Sequence, residues 1–324
     1  MDGLIFDVKG FVHPPDRIVA YLRYLEEPSG DRRRGDKTYV KVYSLSERDR
    51  IIREKYPQYL FYDPVFGEYL EGVPHNAISK IYEPAAKVLE LVKKPHLDQV
   101  EIQALEFLKI LHDSSNVGKL GLSGSILVGL HTENSDIDVI VYGRKNCLIV
   151  YESLTQLMQE GKSVTSYSSS DLKRLYGFRF EAPQMPLEDF IRIERRKVSQ
   201  GRFRGRDFFV RFLLDWDEVD EKYGDRIYTP CGYAKIRARV EDDLDSIFTP
   251  CRYEISQVEV LEGTNLTSIT EIASFRGKFC EQAKKGEKII AQGKVEKVIY
   301  KNGAEYFRLI LGAKPSDFMM SKEA

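Results

Sequence analysis

The chain has 324 residues, more than one ordinary domain contains, so we expect two or three compact units. Hydrophobic residues make up 42% of the chain, enough for a sizeable core, while charged residues make up 31% with a net charge of −1. This balance excludes a protein that binds polyanions over its whole surface. Any contact with nucleic acid must therefore be local.

The four cysteines are widely spaced and never form a C-x-x-C pair, so the sequence predicts neither a zinc knuckle nor a disulfide framework; they are Cys147, Cys231, Cys251 and Cys280. The first ten residues lack a basic stretch followed by an apolar run, and no run of 18 apolar residues occurs. We therefore expect a cytoplasmic protein without a membrane segment.

Residues 1–97 are predicted to form an N-terminal α/β region, to which the sequence assigns no chemistry. Residues 3–12 and 38–45 alternate as β-strands do, with a further segment at 18–25 between them. The run Arg32–Arg34 is predicted to face solvent in a polar loop. A tyrosine-rich connector follows, in which prolines disfavour long regular elements; they are Pro57, Pro64, Pro74, Pro84 and Pro95.

The next stretch changes to a helical pattern. Apolar residues recur at helical spacing over residues 100–111, which predicts a helix at 98–113 with Asp98 as its N-cap. A short strand then leads to a tight turn at Gly124-Ser125. A turn that opens a helix presents free backbone N–H groups and a positive dipole end, so this one can meet a phosphate.

Two carboxylates follow on alternate positions of a predicted strand. Residues 136–142 alternate into a buried strand, so Asp136 and Asp138 project from the same face. Two carboxylates at such a short separation repel each other unless a divalent cation lies between them. Mg²⁺ prefers oxygen ligands and completes its shell with waters and substrate phosphates. The sequence therefore predicts a metal-bound nucleotide at this strand.

The combined spacing is G-S-x3-G-x5-S-D-I-D followed by an apolar run, carried by Gly124, Ser125, Gly129, Ser135, Asp136 and Asp138. It resembles the DNA polymerase beta-like nucleotidyltransferase superfamily, especially its compact archaeal and bacterial members, over residues 98–143. The resemblance implies a mixed sheet with helices. It also implies transfer of a nucleoside monophosphate from a nucleoside triphosphate, with ATP among the candidates, to a hydroxyl acceptor.

The resemblance implies roles for individual residues as well. Asp136 and Asp138 would bind two Mg²⁺ or Mn²⁺ ions, and Gly124 and Ser125 would cradle the β and γ phosphates. Ser135 is a further candidate for contact with the nucleotide. In this superfamily a neighbouring strand brings a third carboxylate, which completes the metal site.

The third acid is expected near the end of a second charged segment. Residues 207–215 alternate so that Asp207, Arg211 and Asp215 share one face of a strand. Either Asp207 or Asp215 can be the metal ligand. The resemblance slightly favours Asp207, because it lies early in the strand, where the superfamily usually places this residue, while Asp215 better fits an acid flanked by apolar neighbours. Neither acid has a distinctive motif around it.

The same segment is strongly basic. Residues 192–211 carry eight basic and two acidic side chains, a local net charge of +6. Arg211 and its neighbours can hold a triphosphate or an RNA backbone by charge-assisted contacts. An equally weighted interpretation is a solvated basic helix face followed by a flexible loop at 201–205.

One position departs from the superfamily pattern. Many members carry a positive residue directly after Gly-Ser, while this chain has Ile126-Leu127-Val128. The phosphate charge must then be met from elsewhere. His131 is the nearest candidate, although a lone histidine beside a turn more often makes a local hydrogen bond.

The C-terminal part is predicted to be rich in β-structure. Residues 227–243 and 247–263 share Ile, an aromatic residue, Thr-Pro-Cys and a later Tyr, which indicates two copies of one turn-plus-strand unit. A hairpin is predicted around Asn302-Gly303. We expect a small barrel or sandwich over 226–312, and its segment Ser274–Phe279 interleaves aromatic and basic side chains as single-strand platforms do, although ordinary packing explains it nearly as well.

The sequence thus predicts an α+β protein in three parts: an N-terminal α/β region at 1–97, a nucleotidyltransferase core at 98–220 and a β-rich barrel or sandwich at 221–324. The function expected is two-metal nucleotidyl transfer to a hydroxyl group, with RNA weakly favoured as the acceptor. Two alternatives remain: an inactive nucleotide- or RNA-binding protein that keeps the fold, and an interaction scaffold.

Overall fold

The computed structural model describes residues 3–179 and 184–322, whose strands form three sheets in chain order. The first sheet has the order β3-β4-β2-β6-β5, with β1 paired to β2. One helix, α1, packs on it. These elements are β1 (Ile5–Val8), β2 (Arg17–Glu26), β3 (Arg32–Arg34), β4 (Lys37–Lys41), α1 (Leu45–Lys55), β5 (Leu60–Asp63) and β6 (Glu68–Pro74).

The middle sheet has the order β7-β8-β11-β10-β9 and is flanked by helices. Its central strands β8 and β11 run parallel, while its other pairs are antiparallel. The elements are α2 (Pro84–Lys93), α3 (Gln99–Ser115), β7 (Leu120–Leu122), α4 (Gly124–Leu127), β8 (Ile137–Tyr142), α5 (Arg144–Glu160), β9 (Val164–Thr165), α6 (Ser169–Arg179), α7 (Leu187–Arg195), β10 (Gln200–Phe203) and β11 (Arg206–Leu213).

Helix α3, which flanks the middle sheet, begins at the N-cap that the sequence predicts. Asp98 accepts hydrogen bonds from the backbone N–H groups of Val100 and Glu101, and the Glu101 carboxylate accepts from the Asp98 N–H, which is a complete capping box. The buried face of the helix includes Phe107 and Leu111, which pack against the strands. The helix predicted at 98–113 is therefore confirmed.

The third sheet closes on itself, because β12 pairs with β13 on one side and with β15 on the other. The hairpin predicted around Asn302-Gly303 is confirmed as β15 and β16. The two Thr-Pro-Cys copies are not equivalent: the first lies inside β12, and the second leads into β13. The strands are β12 (Arg226–Asp242), β13 (Cys251–Gly263), β14 (Ile269–Ser274), β15 (Lys288–Tyr300), β16 (Glu305–Leu311) and β17 (Phe318–Lys322).

The three-part division at residues 97 and 220 stays a prediction. Packing associates helix α2 with the middle sheet, since Leu91 lies in the same buried cluster as Leu122 and Val139. Gly121 also lies directly against Pro84 at the start of this helix. None of the helices in the two described ranges is long and apolar enough to cross a membrane.

The interpretation of Arg32–Arg34 as a solvent-facing loop is wrong. These residues form strand β3, and the Arg32 side chain is only 8% exposed. Arg32 donates to the carbonyl oxygen of Leu130 at 2.8 Å, and Arg34 donates to that of Val128 at 2.9 Å. Carbonyl groups left free after the short helix α4 are thereby satisfied by the first sheet, since buried polar groups need partners.

Replacing Arg32 with alanine should lower the free energy of unfolding by about 2 kcal/mol, because the buried Leu130 carbonyl loses its donor. Arg33→Ala is a matched control from the same run, since Arg33 is exposed and donates only to the nearby Gly35 carbonyl. Its effect should stay within about 0.5 kcal/mol. Urea unfolding measures both, and equal losses would contradict the packing described here.

Candidate nucleotide and metal site

Strands β8 and β11 gather the predicted acids and a cation on one face of the middle sheet. Their parallel register pairs Asp138 with Phe209, so side chains at Asp136, Asp138, Asp207 and Arg211 project from the same face. The opposite face is apolar and buried in the core by residues such as Val139. The alternation predicted for both strands is therefore confirmed within β8 and β11, but the placement of Asp215 on this face of a strand is wrong, because β11 ends at Leu213 and Asp215 caps the turn that follows.

Asp138 lies against the turn that precedes its strand. Gly124 has a φ of +59°, and a Cβ atom at this position would overlap the Asp138 carboxylate oxygen Oδ2. The Ser123 N–H also donates to the Asp138 carbonyl oxygen at 2.8 Å. Glycine is required here both for its left-handed backbone and for the space it leaves to the carboxylate.

The charge on Asp138 is poorly compensated. Burial, and next the neighbouring Asp136 carboxylate, raise the pKa of Asp138 to about 7. Lys41, Arg211 and Arg23 act in the opposite direction and lower this pKa. Two carboxylates on one face of a strand, which offer oxygen atoms only, are a donor set that fits Mg²⁺ or Mn²⁺.

The two candidates for the third acid lie at opposite ends of β11. Asp207 lies beside the Asp136 end and forms ion pairs with Arg174 at 3.1 Å and Arg202 at 3.2 Å. Burial raises the pKa of Asp207 in spite of these arginines. Asp215 follows the far end of the strand, where it caps a short turn and pairs with Lys119, whose hydrogen bond lowers the pKa of Asp215.

The predicted phosphate ligands of the turn are less accessible than expected. Ser125 is buried, and its hydroxyl has no hydrogen-bond partner among the described residues. Ser135 uses its hydroxyl to accept from the Thr132 N–H at 2.9 Å, which shapes the turn before Asp136. The contacts predicted between these residues and phosphate stay predictions.

The His131 side chain contacts Asp98 at the start of helix α3. Its Nε2 atom lies 2.7 Å from the Asp98 carboxylate. Among the described residues, Asp98, Glu101 and His131 form the one group of three Asp, Glu, His or Cys side chains whose ligating atoms lie within 4.8 Å of one another. Asp98 also caps helix α3, and Lys94 donates to both Glu101 oxygens, so this group is already stabilised without an ion.

Asp136, Asp138 and Asp207 do not approach within that distance as a trio, within the part of the chain that the structure describes. The two arginine ion pairs of Asp207 hold its carboxylate toward α6 and β10. Asp136 and Asp138 share one face at the start of β8 without such arginine ion pairs among the described residues.

These acids line a cavity of about 1740 Å³ to which all three sheets contribute. Most basic residues that line the cavity lie outside the Gly-Ser and Asp-Ile-Asp motif. Among them, the first sheet contributes Lys9, Arg23 and Lys41, the middle sheet contributes Arg211, and the segment after β14 contributes Arg276 and Lys278. Gly124 and Ser125 lie behind Asp138 and do not line it. The sequence around the Gly-Ser motif therefore does not predict the cations that the first and third sheets contribute.

Comparison with known proteins agrees with this arrangement. A family model described as a nucleotidyltransferase domain matches residues 104–197, which include the turn at Gly124 and strand β8. The chain belongs to the nucleotidyltransferase-domain family, and the resemblance to the polymerase beta-like superfamily is confirmed. An uncharacterized protein of Methanocaldococcus jannaschii is 30% identical over 327 residues, which is 98% of this chain and 94% of the relative. No solved structure matches.

Asp138→Asn should stabilise the metal-free protein at alkaline pH. Because the folded-state pKa of about 7 lies above the ordinary 3.8, the ionised group costs stability increasingly from pH 3.8 upward and fully above pH 7. At pH 8 in EDTA we expect the free energy of unfolding to rise by about 1 to 3 kcal/mol, with a smaller gain at pH 5.

Thermal unfolding measures this effect, and Mg²⁺ should raise the Tm of the wild-type protein more than that of the variant. Asp215→Asn is the control, because its carboxylate is stabilised by Lys119 and its loss should not raise the Tm. A variant at Asp138 that is no more stable than the wild type at pH 8 would contradict the electrostatic interpretation.

Proposed function

We propose that this protein transfers a nucleoside monophosphate from a nucleoside triphosphate to a hydroxyl group of an acceptor. The observation that carries the proposal is the Asp138 carboxylate lodged against Gly124, with Asp136 on the same face and the cations Lys41 and Arg211 lining the same cavity. The nucleotidyltransferase-domain match supports it.

Asp136 and Asp138 would hold Mg²⁺ or Mn²⁺. When bound, the metal would offset negative charge on the α-phosphate and the leaving pyrophosphate and lower the pKa of the acceptor hydroxyl. Gly124 leaves the space that the Asp138 oxygen occupies, since any side chain at this position would overlap it.

Asp207 is the third acid that we propose. Asp207 and Asp136 each lie one position before the Phe208–Ile137 pair of the parallel register, while Asp215 is eight residues further along the chain, beyond the end of β11, and pairs with Lys119. Arg174 and Arg202 hold the Asp207 carboxylate beside the cavity in the free protein. A metal-bound nucleotide would compete with these arginines for it.

Lys41 and Arg211 are the cations that we propose for the triphosphate. They are the two basic residues whose charges most strongly lower the pKa of Asp138. Neither forms an ion pair with a carboxylate within the described residues; Lys41 contacts the Tyr43 ring and Arg211 the Phe209 ring. They replace the positive residue that many superfamily members carry after Gly-Ser.

In the proposed step the acceptor hydroxyl oxygen forms a bond to the α-phosphorus. The bond from the α-phosphorus to the bridging oxygen of the β-phosphate breaks, and pyrophosphate leaves with that electron pair. The hydroxyl proton passes to the Asp207 carboxylate, whose raised pKa makes it the better acceptor. The products are the nucleotidylated acceptor, pyrophosphate and one proton returned to solvent.

One observation favours a second candidate, a nucleotide-binding protein without turnover. The Asp207 carboxylate is paired with two arginines, and among the residues that the structure describes Asp136, Asp138 and Asp207 do not form a group with all ligating atoms within 4.8 Å of one another. If the arginines never release Asp207, nucleotide binding is retained while transfer is lost.

Asp207→Asn should reduce nucleotidyl transfer at least a hundredfold, because a metal ligand and proton acceptor are lost together, while Asp215→Asn should stay within about twofold. Incubation with each α-labelled triphosphate, Mg²⁺ or Mn²⁺, and total RNA or total protein measures label transfer. Thermal unfolding confirms that both variants are folded.

Three outcomes separate the candidates. Loss in Asp207→Asn alone supports the proposed roles, and loss in Asp215→Asn alone would overturn the choice between the acids. Triphosphate binding with no label transfer by the wild-type protein would replace the enzyme by the nucleotide-binding candidate.

A further inference from the structure

The cavity is larger than one nucleotide needs. Its volume of about 1740 Å³ exceeds the range of roughly 300–1,000 Å³ that is usual for small-ligand sites. The acids of β8 and β11 occupy only one part of its wall. The remaining wall combines exposed aromatic rings with cations, and it can be assigned separately from the triphosphate.

Two aromatic side chains meet at the cavity, one after a strand of the first sheet and one from a helix beside the middle sheet. Tyr43 follows β4 and is 49% exposed, while Phe178 near the end of α6 is 68% exposed. Their ring centroids lie 5.7 Å apart in an edge-to-face arrangement. Arg23 and Lys41 lie 5.4 and 5.1 Å from the centroid of the Tyr43 ring. Rings of this kind, left open beside cations, are suited to stacking on nucleobases.

Arg276 supplies a cation from the third sheet. Its aliphatic stem packs against Gly312, and the next residue, Gly277, lies so close to the Phe209 ring of β11 that a Cβ would come within 2.6 Å of it. The guanidinium group has no hydrogen bond or ion pair within the described residues. Burial, and then the charges of Arg48 and Arg23, lower the pKa of Arg276, which shows that cations cluster here.

Some residues of the segment Ser274–Phe279 pack in the core of the third sheet, and others line the cavity. Phe279 is buried in the core of the third sheet, which is the packing role weighed from the sequence. Phe275 and Arg276 line the cavity, and Phe275 contacts Gly10 at the end of β1. The first and third sheets therefore meet beside β11, next to the acids.

We propose that this wall binds the 3′ end of a single-stranded nucleic acid, with Tyr43 and Phe178 stacking on its bases and Arg23 and Arg276 contacting its phosphates. The terminal hydroxyl then lies toward Asp136 and Asp138. This inference rests on the proposed function and names the acceptor for it.

A nucleic acid fits these features better than a small hydroxyl compound or a protein does. Alternating negative charges and flat bases match cations interleaved with exposed rings. Lys41 and Arg211 are the cations already proposed for the triphosphate. Arg23 and Arg276 remain for a second anionic ligand, and the net charge of −1 for the whole chain confines such binding to this cavity.

The test measures binding of a fluorescein-labelled twelve-nucleotide RNA, and of DNA of the same sequence, by fluorescence anisotropy in EDTA at several salt concentrations. Tyr43→Ala should weaken binding about tenfold without changing the salt dependence, because a stacking surface is lost. Tyr43→Phe should bind within about twofold of the wild type, since the ring remains.

Arg276→Ala should weaken binding and reduce the magnitude of the slope of log K against log salt by about 0.7, the value for one phosphate contact in a single strand. Arg276→Lys should restore most of the slope. Tyr62→Ala is the matched control, because Tyr62 is 55% exposed but does not line the cavity. Thermal unfolding verifies that each variant is folded.

The proposal is overturned if the wild-type protein binds neither strand, or if Tyr43→Ala and Arg276→Ala bind as tightly as Tyr62→Ala. Binding of both strands with these variant effects supports it, and a preference for RNA assigns a role to the 2′-hydroxyl. Label transfer to protein or small hydroxyl compounds without strand binding would overturn this inference and leave the proposed function standing. Strand binding without any label transfer would support this inference and overturn the proposed function.

Discussion

The carboxylate of Asp138 lies against the α-carbon of Gly124, and the local structure is arranged around this contact. The left-handed glycine lets the chain turn directly beside strand β8, while the opposite face of that strand is anchored in the apolar core. The carboxylate is consequently held, partly buried, beside Asp136, and burial and the Asp136 charge raise its pKa to about 7. A divalent cation would relieve this repulsion, so the cost in stability and the capacity to bind metal have one cause.

The first and third sheets supply what the motif lacks. Arg32 and Arg34 tie the first sheet to the carbonyl groups that follow the Gly-Ser turn, and this attachment brings Lys41 toward Asp138. From the other side, Gly277 packs on Phe209 and brings Arg276 to the same cavity. A chain with neutral residues after Gly-Ser can therefore still surround a polyanion with cations, provided that all three sheets are present.

Periodicity predicted the local elements well and the long-range partners poorly. The alternation in β8 and β11 identified the shared face, and helical spacing with an N-cap identified α3. The choice between Asp207 and Asp215 depends on the parallel register of two strands far apart in sequence, which no local pattern contains. The buried Arg32 was misinterpreted for the same reason, since a charged side chain is recognisable as buried only when its distant carbonyl partner is known.

The most direct measurement is a crystal structure of the protein with Mn²⁺ and a non-hydrolysable nucleoside triphosphate, with the metal located by its anomalous scattering. The expected result is Mn²⁺ bound by Asp136 and Asp138, with the triphosphate in contact with it and with Lys41 or Arg211. Mn²⁺ found only at Asp98, Glu101 and His131, or a triphosphate bound away from β8, would contradict the assignment of this site.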